Sequence, residues 1–330
     1  MSPPDISVLM PVYNGEEFVA NAIRSILDQD YTRFELIIVD DGSTDGTHTI
    51  IDGFSDHRMK LLQKDHSGIA DSLNFGLRHC KGQLIARMDA DDVSFPARLG
   101  IQSDYLQQNP AVGAVSCLVE YAKRDDLPDG YAHFVRWINE LSDREKLKNK
   151  RFMESPFAHP SMMFRRNLIG RFGDYTLDKV PEDYELWLRW FEKGVIIDKL
   201  QLPLIVWNDR KKRLSRQHDN YSEAGFFKLK AIYFMKWYRR EGGNRKVFIW
   251  GRGRIMRRRL AFFCDEGLVT EGYIDISKRS AKNCFHYKET DRYKDGIIIC
   301  FVSDTIGKLQ ISEFLISENF EEGSDFFHVV

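Results

Sequence analysis

The segment RMDADD at 87–92 combines residue types and a spacing that could bind a metal ion. Asp89 and Asp91 lie on alternate residues, so both carboxylates can offer hard oxygen ligands to one divalent cation, such as Mg²⁺ or Mn²⁺. Such a cation commonly bridges a diphosphate group. The structural alternative is that Asp92 or Ser94 caps the helix that follows. The segment taken alone does not decide between these two interpretations.

Two further acidic segments could also carry chemistry. VDDGSTDGT at 39–47 places Asp40 where it can accept a hydrogen bond from a base or sugar, before a turn that exposes backbone donors. PEDYELW at 181–187 places Glu182 and Asp183 in the first turn of a helix, where a carboxylate could take a proton from a hydroxyl. The alternatives are an ordinary capped turn and a favourable helix dipole.

These acidic segments follow elements that alternate along the first hundred residues. Apolar runs at 6–10, 34–39 and 84–88 predict strands, and apolar residues at helical spacing between them predict helices. The alternation predicts an α/β fold with a mostly parallel sheet. Ligands bind beyond the carboxyl ends of such strands, so we expect the acids at 40–41 and 89–92 to meet at one edge.

A Gly-Gly-Asn run ending at 244 predicts a domain boundary. We expect a first α/β domain at 1–215, a basic aromatic helical linker at 216–244 and a small Rossmann-like α/β domain at 245–330. The turn GRGRIM at 251–256 resembles a dinucleotide-binding fingerprint, followed by Asp275 as a candidate ribose acid. Met256 stands where a third glycine would allow close packing, which favours a scaffold or an oligomerisation module.

The net charge of −1 conceals a strongly basic stretch, because residues 210–259 contain 17 Lys and Arg residues against three acids. Such a stretch could contact a polyanion or an anionic membrane, although a solvated basic face is the simpler interpretation. Within it, FFKLKAIYFMKWYRR at 226–240 interleaves aromatic and basic residues as interfacial helices do. The alternative is a core-facing helix whose aromatics pack on the catalytic domain.

Composition excludes several classes of protein. No apolar run approaches the roughly 20 residues that a membrane-spanning helix needs. The amino terminus lacks the pattern of a signal peptide, and the five cysteines are too widely spaced for a disulfide framework or a thiolate zinc site. We therefore expect a cytoplasmic protein, with peripheral membrane contact as a further hypothesis and no nucleic acid partner.

The acidic segments also occur in an order that resembles family 2 glycosyltransferases of the GT-A fold. The resemblance covers roughly residues 5–215 and is carried by SVLMPVYNGEEF, FELIIVDDGSTDGT, HSGIADSLNFGL, QLIARMDADDVSFPARL, HPSMMFRR and PEDYELWLRW. The carboxyl-terminal part resembles the appendage of a subgroup typified by UDP-GlcNAc:β-galactose β-1,3-N-acetylglucosaminyltransferase-like proteins, as does HFVRWINEL at 133–141.

The resemblance implies a donor site for a UDP-sugar. The residues expected to contact the donor are Pro11, Val12, Tyr13, Asn14, Glu16, Asp40, Asp41, Asp89, Ala90 and Asp91. Among them, Asp40 would accept from the uracil and Asp89 would lie near the ribose and the sugar. Asp91 would bind the metal, Mn²⁺ or Mg²⁺, with Asp89 as the second ligand.

The resemblance also implies how the sugar would be transferred. Asp183 matches the general base, with Glu182 as the second assignment, and a single displacement at the anomeric carbon inverts its configuration. Further candidates lie beside the metal, near the bound substrates or in a loop that closes over the diphosphate, and they are Asp92, His159, Arg213, Ser215 and His218.

The expected function is therefore metal-dependent, inverting transfer of a sugar, GlcNAc or GalNAc, from UDP to a glycan or lipid-linked acceptor. A nucleotidyltransferase is disfavoured, because PVYNGEEF at 11–18 supplies no glycine-rich phosphate loop with Lys or Arg. A catalytically silent sugar-nucleotide binding or scaffold protein is a second hypothesis. An NAD-dependent oxidoreductase built on residues 245–330, which could also form homo-oligomers, is a third.

Overall fold

The computed structural model describes residues 4–122, 130–210, 213–277 and 283–330. The chain forms two compact units. The first unit comprises Met1–Arg144, Phe157–Asp178 and Glu182–Gln217, and the second comprises Glu145–Pro156, Lys179–Pro181 and His218–Val330. The segment 218–244, expected as a separate linker, lies within the second unit, which also takes two short segments from earlier in the chain.

The first unit is built on an eight-stranded sheet. Its strands are β1 (Ile6–Val12), β2 (Phe34–Asp40), β3 (Met59–Gln63), β4 (Leu84–Arg87), β5 (Val93–Ser94), β6 (Val112–Ala122), β7 (Met163–Arg165) and β8 (Ile196–Asn208). Their order across the sheet is β3-β2-β1-β4-β7-β6-β8-β5. Strands β3, β2, β1 and β4 are mutually parallel, as are β6 and β8, whereas β7 and β5 run antiparallel to their neighbours. The predicted mostly parallel sheet is confirmed.

Helices connect these strands. They are α1 (Val19–Leu27), α2 (Thr47–Asp52), α3 (Ile69–Leu77), α4 (Arg98–Gln108), α5 (Gly130–Glu140), α6 (Arg144–Asn149, which continues into the second unit), α7 (Asn167–Phe172), α8 (Glu182–Glu192) and α9 (Leu214–Gln217). Helix α1 shows why they pack on the sheet, because its apolar residues recur at helical spacing and Ala22, Ile23 and Ile26 are fully buried. Every residue of β1 is buried as well, so β1 lies in the core.

Strand β8 was not predicted from the sequence. Its apolar run is interrupted by Asp198, Lys199 and Gln201, and Pro203 lies in its middle. The pairing of β6 with β8 shifts register near Pro203, and a proline inside a strand is tolerated at such an irregularity. Asp198 is paired with Arg144 through two hydrogen bonds, so the polar residues of this strand are satisfied by tertiary contacts.

The second unit contains a five-stranded parallel sheet. Its strands are β9 (Val247–Trp250), β10 (Thr270–Asp275), β11 (Cys284–His286), β12 (Ile297–Cys300) and β13 (Phe326–His328), in the order β11-β10-β9-β12-β13. Helix α10 (Glu223–Trp237) precedes the sheet and passes into a turn of π-helix, α11 (Arg254–Asp265) follows β9, and α12 (Thr305–Ser317) follows β12. The predicted small α/β unit is thus present.

The aromatic residues of the 226–240 segment lie inside the second unit. Phe227, Phe234 and Trp237 on α10 are at most 5% exposed, and Phe234 and Trp237 pack against the Phe327 ring of β13. The prediction of an interfacial helix from these aromatics is therefore wrong. The helix faces a core, as the alternative held, but the ring contacts of these aromatics lie within the second unit and not on the catalytic domain. Lys211 and Lys212 of the basic stretch lie outside the described residues.

A close approach in the first unit gives a stability test. A β-carbon on Gly76 of α3 would lie 2.3 Å from Leu9 Cδ1 and 2.9 Å from Val39 Cγ2, so Gly76→Ala forces helix and sheet apart. We expect a loss of about 1–3 kcal/mol in the free energy of unfolding, measured by urea denaturation.

The matched control is Gly170→Ala in α7, where a β-carbon meets nothing within 4 Å. This substitution should be neutral or stabilise by up to about 1 kcal/mol, because alanine restricts the unfolded chain and favours helix. Equal urea midpoints for the two variants would contradict the close packing of α3 on the sheet.

Candidate active site

The predicted donor residues after β1 lie at the carboxyl edge of the first sheet. Pro11 and Val12 are buried in the strand, whereas the Tyr13 ring is 45% exposed and stacks on the His66 ring at a centroid distance of 4.0 Å. Asn14 has a positive φ of 49°, a conformation that asparagine tolerates better than most residues. The chain therefore turns sharply as it leaves β1.

Hydrogen bonds join this turn to the acidic turn after β2. The Asn14 amide donates to Ser43 Oγ at 3.0 Å, and the amide of Thr44 donates to Asn14 Oδ1 at 2.8 Å. Glu16 Oε2 accepts from the Gly46 amide at 2.7 Å. Asn14 and Glu16, predicted to line the nucleotide pocket, thus hold together the two turns that would form it.

Asp40 and Asp41 are adjacent in sequence but differ in their surroundings. Asp40 Oδ1 accepts from the Ser43 amide at 3.0 Å, and His48 Nδ1 lies 4.0 Å from its Oδ2. This second oxygen is placed at the edge of the sheet with no short hydrogen bond among the described residues. It remains the candidate acceptor for a ligand.

Asp41 is committed to the protein itself. Its carboxylate accepts from Lys64 Nζ at 2.8 Å, from the Ser67 amide at 3.1 Å and from the Gly68 amide at 2.8 Å, and His66 Nδ1 lies 2.8 Å from it. Burial opposes its ionisation, but these hydrogen bonds prevail and lower the pKa of Asp41. Asp41 therefore fastens the segment between β3 and α3.

Three aspartates converge after β4. Carboxylate oxygens of Asp89, Asp91 and Asp92 all lie within 4.8 Å of one another, an arrangement that could hold a cation. Asp92 is 1% exposed, its Oδ1 accepts from the Asn208 amide at 2.9 Å, and its Oδ2 is buried without a hydrogen-bond partner. Ala90 between them is also buried. A buried carboxylate oxygen without a hydrogen-bond partner is suited to bind a cation.

Electrostatics at this cluster favour a cation. Burial, reinforced by the charges of its neighbours Asp91 and Asp89, raises the pKa of Asp92 well above its usual value. Burial and the charge of Asp89 likewise raise the pKa of Asp91. A divalent cation would remove this repulsion, so the donor set and its charge fit Mg²⁺ or Mn²⁺.

Arginines surround the cluster. The Arg87 side chain is 1% exposed and approaches the cluster from the protein interior. It pairs with Asp89 Oδ1 at a distance of 2.6 Å. From the segment after β8, Arg210 Nε lies 3.2 Å from Asp91 Oδ2 and its guanidinium stacks on the Phe18 ring at 4.0 Å. Arg213 stacks on Trp207 at 4.1 Å; burial opposes its charge, but Tyr131 and then the three aspartates raise its pKa.

The sequence analysis missed three of these residues, Arg87, Asn208 and Arg210. Arg87 stands inside the RMDADD segment that carried the metal prediction, so it could have been singled out as a counter-charge. Asn208 also donates from its side-chain amide to the Asp91 carbonyl at 2.8 Å. It could not have been singled out without predicting β8, which ends there.

The two acids at the start of α8 lie close to the same cluster. Glu182 is 2% exposed, and Asp183 is partly buried with its Oδ1 accepting from the Tyr184 amide at 2.7 Å. Burial and then the charge of Glu182 raise the pKa of Asp183 to about 8, and Asp89 contributes in the same direction. A carboxyl with this pKa can exchange a proton near neutral pH.

The remaining candidates divide between structural roles and the loop after β8. His159 is buried, its Nε2 is 2.9 Å from the Tyr175 hydroxyl, and burial lowers its pKa, so the ring is neutral. Ser215 Oγ bonds the Tyr131 hydroxyl at 2.9 Å. His218 belongs to the second unit, where its ring accepts from the Asn220 amide. Among the described residues, the contacts of these three side chains do not include the carboxylates of the acidic cluster.

Comparison with known proteins identifies the family. The model of the family described as "Glycosyl transferase family 2" matches residues 7–172, half of the chain. In Bacillus subtilis (strain 168), EpsE, named as a glycosyltransferase, is 34% identical over 228 residues, which are 67% of this chain and 79% of EpsE. The chain belongs to glycosyl transferase family 2.

Two further similarities bear on the fold and on the kind of substrate. The Escherichia coli UDP-Gal:alpha-D-GlcNAc-diphosphoundecaprenol beta-1,3-galactosyltransferase is 30% identical over 222 residues, 65% of this chain and 78% of that protein. The crystal structure of S. aureus TarS 1-349 in complex with UDP-GlcNAc is 18% identical with a TM-score of 0.53, covering 71% of this chain and 73% of TarS. This likeness to TarS shows the fold.

The different surroundings of Asp40 and Asp41 predict different phenotypes. Asp41→Asn replaces a carboxylate that binds Lys64 and two backbone amides, so we expect a loss of about 2 kcal/mol in the free energy of unfolding at pH 7. The folded pKa of Asp41 is depressed, so this stabilisation exists above its unfolded pKa and is lost as the pH falls through the folded value.

The control is Asp40→Asn, which keeps an acceptor for the Ser43 amide and should change stability by less than about 1 kcal/mol. Urea denaturation of both variants at pH 7 and at acid pH measures the difference. If Asp41→Asn were as stable as wild type, the fastening role of Asp41 would be disproved.

Proposed function

We propose that the chain is a metal-dependent, inverting glycosyltransferase that moves a sugar from a UDP-sugar to a hydroxyl of a glycan or lipid-linked glycan. The observation that carries the proposal is the meeting of two acidic groups at one sheet edge. One group, Asp89, Asp91 and Asp92, has the chemistry of a cation site, and the other contains Asp183 with a pKa near neutrality.

In the proposed donor site, Asp40 Oδ2 accepts from the uracil and the exposed Tyr13 ring lies beside the nucleotide. Asp89 lies near the ribose and sugar, and Asp91 with Asp89 holds the cation. The cation would neutralise the negative charge that develops on the departing UDP. The donors named for TarS and for the E. coli galactosyltransferase, UDP-GlcNAc and UDP-Gal, support a UDP-sugar. We propose GlcNAc or GalNAc as the sugar.

The proposed base is Asp183. When ionised, it takes the proton of the acceptor hydroxyl as that oxygen attacks the anomeric carbon from the face opposite UDP, which inverts the configuration in one displacement. Glu182 contributes through its charge, because it raises the pKa of Asp183 and so makes this carboxylate a stronger base. Arg210 and Arg213, close to the aspartates, are placed to contact the diphosphate.

The acceptor proposed is a lipid-linked glycan, supported by the diphosphoundecaprenol acceptor in the name of the E. coli relative. Such an acceptor implies work at the cytoplasmic face of a membrane, as a peripheral protein. No described helix is long and apolar enough to cross a bilayer. We propose a scaffold or homo-oligomerisation role for residues 245–330, because Met256 stands at the position of the third glycine of a dinucleotide-binding fingerprint.

The two other hypotheses make different predictions. A silent scaffold protein would bind the donor without releasing UDP, so measured turnover excludes it. An NAD-dependent oxidoreductase would bind NAD in the second unit, where Met256 is buried at the position of the third fingerprint glycine and Asp275 Oδ1 already accepts from the Ser277 amide. Neither observation favours NAD.

The cation site predicts metal-dependent donor binding. UDP with Mn²⁺ should raise the unfolding midpoint of the wild type, since a ligand that binds only the folded state stabilises it by about 2.7 kcal/mol at 100 times its Kd. Asp91→Asn removes one carboxylate of the cluster and should abolish this shift. Thermal-shift assays with UDP, GDP, CMP and dTDP, with and without Mn²⁺, measure it.

The control is Asp52→Asn, whose side chain is 70% exposed on α2 and which should retain the full shift. A shift that needs no Mn²⁺, or that persists in Asp91→Asn, would contradict the proposed metal site. A shift with NAD alone would favour the oxidoreductase instead.

The raised pKa of Asp183 predicts the pH dependence of transfer. A general base acts only when ionised, so kcat/KM should rise about tenfold per pH unit below pH 8 and level off above it. Glu182→Gln removes the neighbouring negative charge. It should shift this rise of kcat/KM to lower pH while activity persists.

Asp183→Asn should lower kcat/KM by at least about 100-fold above pH 8 and remove its rise with pH, because the neutral amide cannot accept the proton at any pH. UDP release, followed across pH for both variants, measures these effects. Loss of activity in Glu182→Gln with retention in Asp183→Asn would assign the base to Glu182.

A further inference from the structure

Arg210 contacts the acidic cluster from the segment that follows β8. Its Nε lies 3.2 Å from Asp91 Oδ2, so the guanidinium places a positive charge at a carboxylate that we propose as a metal ligand. The Nε atom is buried and has no well-formed hydrogen bond among the described residues. The contact is therefore one of charge, unlike the 2.6 Å hydrogen bond that Arg87 donates to Asp89.

The position of Arg210 follows from the end of β8. Asn208, the last residue of that strand, donates from its backbone amide to Asp92 Oδ1 and from its side chain to the Asp91 carbonyl. These two hydrogen bonds fix the end of β8 against the acidic turn, and Arg210 follows two residues later. The strand end that holds the aspartates in place thus also brings a cation to them.

The guanidinium of Arg210 has a second contact, on an aromatic ring. It stacks over Phe18 at a distance of 4.0 Å from the ring centroid. Phe18 directly precedes α1, in the segment after β1 that carries the proposed nucleotide-binding turn. Stacking of this kind engages one face of a guanidinium and leaves the N–H donors in its plane available to an anion. Arg210 is thus held between the segment of the proposed nucleotide site and the acidic cluster.

A divalent cation and Arg210 would compete for the same carboxylate. Burial and the charge of Asp89 raise the pKa of Asp91, whereas the charges of Arg213 and Arg210 act in the opposite direction. A metal bound to Asp91 would take over this role, and the guanidinium would then lie next to a like charge. Water screens such repulsion weakly here, because the side chains of Asp91 and Arg210 are each only 25% exposed. Binding of the metal alone therefore carries the cost of displacing Arg210.

We propose that Arg210 makes binding of the cation depend on binding of the nucleotide. Arg210 neutralises Asp91 until a diphosphate binds, and its guanidinium then moves to the phosphate oxygens and leaves Asp91 to the metal. A guanidinium can bind phosphate through two parallel hydrogen bonds, which compensates for the lost contact with Asp91. This inference rests on the metal site and the UDP-sugar donor of the proposed function, and it adds the way in which the two ligands are coupled.

The coupling between the two ligands would contain a contribution from Arg210. Each ligand alone must break the contact between Arg210 and Asp91, whereas the two ligands together break it only once. Removing the guanidinium should therefore tighten binding of the metal alone and lower the coupling by the same factor. A residue that only contacted phosphate would weaken UDP binding and leave binding of the metal alone unchanged.

The test is a titration of the full chain with Mn²⁺, without UDP and with saturating UDP, in which electron paramagnetic resonance measures the free ion against a protein-free blank. Arg210→Gln should lower the Kd for Mn²⁺ alone at least about tenfold, and the fold-change that UDP produces in this Kd should fall by about the same factor. Arg210→Lys keeps the positive charge and should stay within about threefold of the wild type. Thermal unfolding should show that both variants remain folded.

The matched control is Arg58→Gln. Arg58 also pairs with an aspartate, Asp56 at 2.7 Å, and stacks on a phenylalanine ring, Phe34 at 4.6 Å. It directly precedes β3, however, and so lies at the amino edge of the sheet, opposite the acidic cluster. This variant should bind Mn²⁺ as the wild type does.

Asp91→Asn separates this inference from the proposed function. It should weaken Mn²⁺ binding with and without UDP, and unchanged binding would disprove the metal site together with the role of Arg210. If Asp91→Asn weakened binding while Arg210→Gln and the wild type bound Mn²⁺ alone equally, the role of Arg210 would be disproved and the metal site would stand. Equal tightening in Arg58→Gln would also overturn the inference, because net charge alone would then explain the effect.

Discussion

Repulsion among carboxylates at one edge of the first sheet is the constraint on which the site depends. The five acids concerned are Asp89, Asp91, Asp92, Glu182 and Asp183. Burial weakens the screening by water, so each acid makes its neighbours harder to ionise. The raised pKa values of Asp92 and Asp183 express this cost directly. Ionising these neighbouring carboxylates together costs free energy, and a cation bound among them would offset that cost.

Arginines contact this cluster both from the protein interior and from the segment after β8. Arg87 pairs with Asp89 from the buried side, and Arg98, fully buried, donates to the Arg87 carbonyl. Arg210 approaches Asp91 from the segment after β8 and is more exposed than Arg87. Arg87 is held in the interior, whereas the Arg210 side chain is partly exposed. Buried and partly exposed counter-charges thus contact different acids of the same cluster.

The acidic turn after β2 shows that adjacent identical residues can be given separate tasks. Asp41 is enclosed by Lys64 and the amides of the segment before α3, so its carboxylate stabilises that segment. Asp40 keeps one oxygen available at the sheet edge. The turn therefore uses one carboxylate to hold neighbouring backbone and leaves an oxygen of the other without a short hydrogen bond among the described residues.

The sequence by itself determined the alternation of strands and helices to residue 88, the α8 helix and the grouping of the acidic segments, because periodicity and strand-end position are local properties. It also determined the family, since several short motifs occur in order. It could not determine that Asp41 is engaged while Asp40 is available, or that α10 buries its aromatics, because burial depends on residues far along the chain. Strand β8 with Asn208 and Arg210 also required tertiary structure, since polar residues and Pro203 hide its pattern until Asp198 is paired with Arg144.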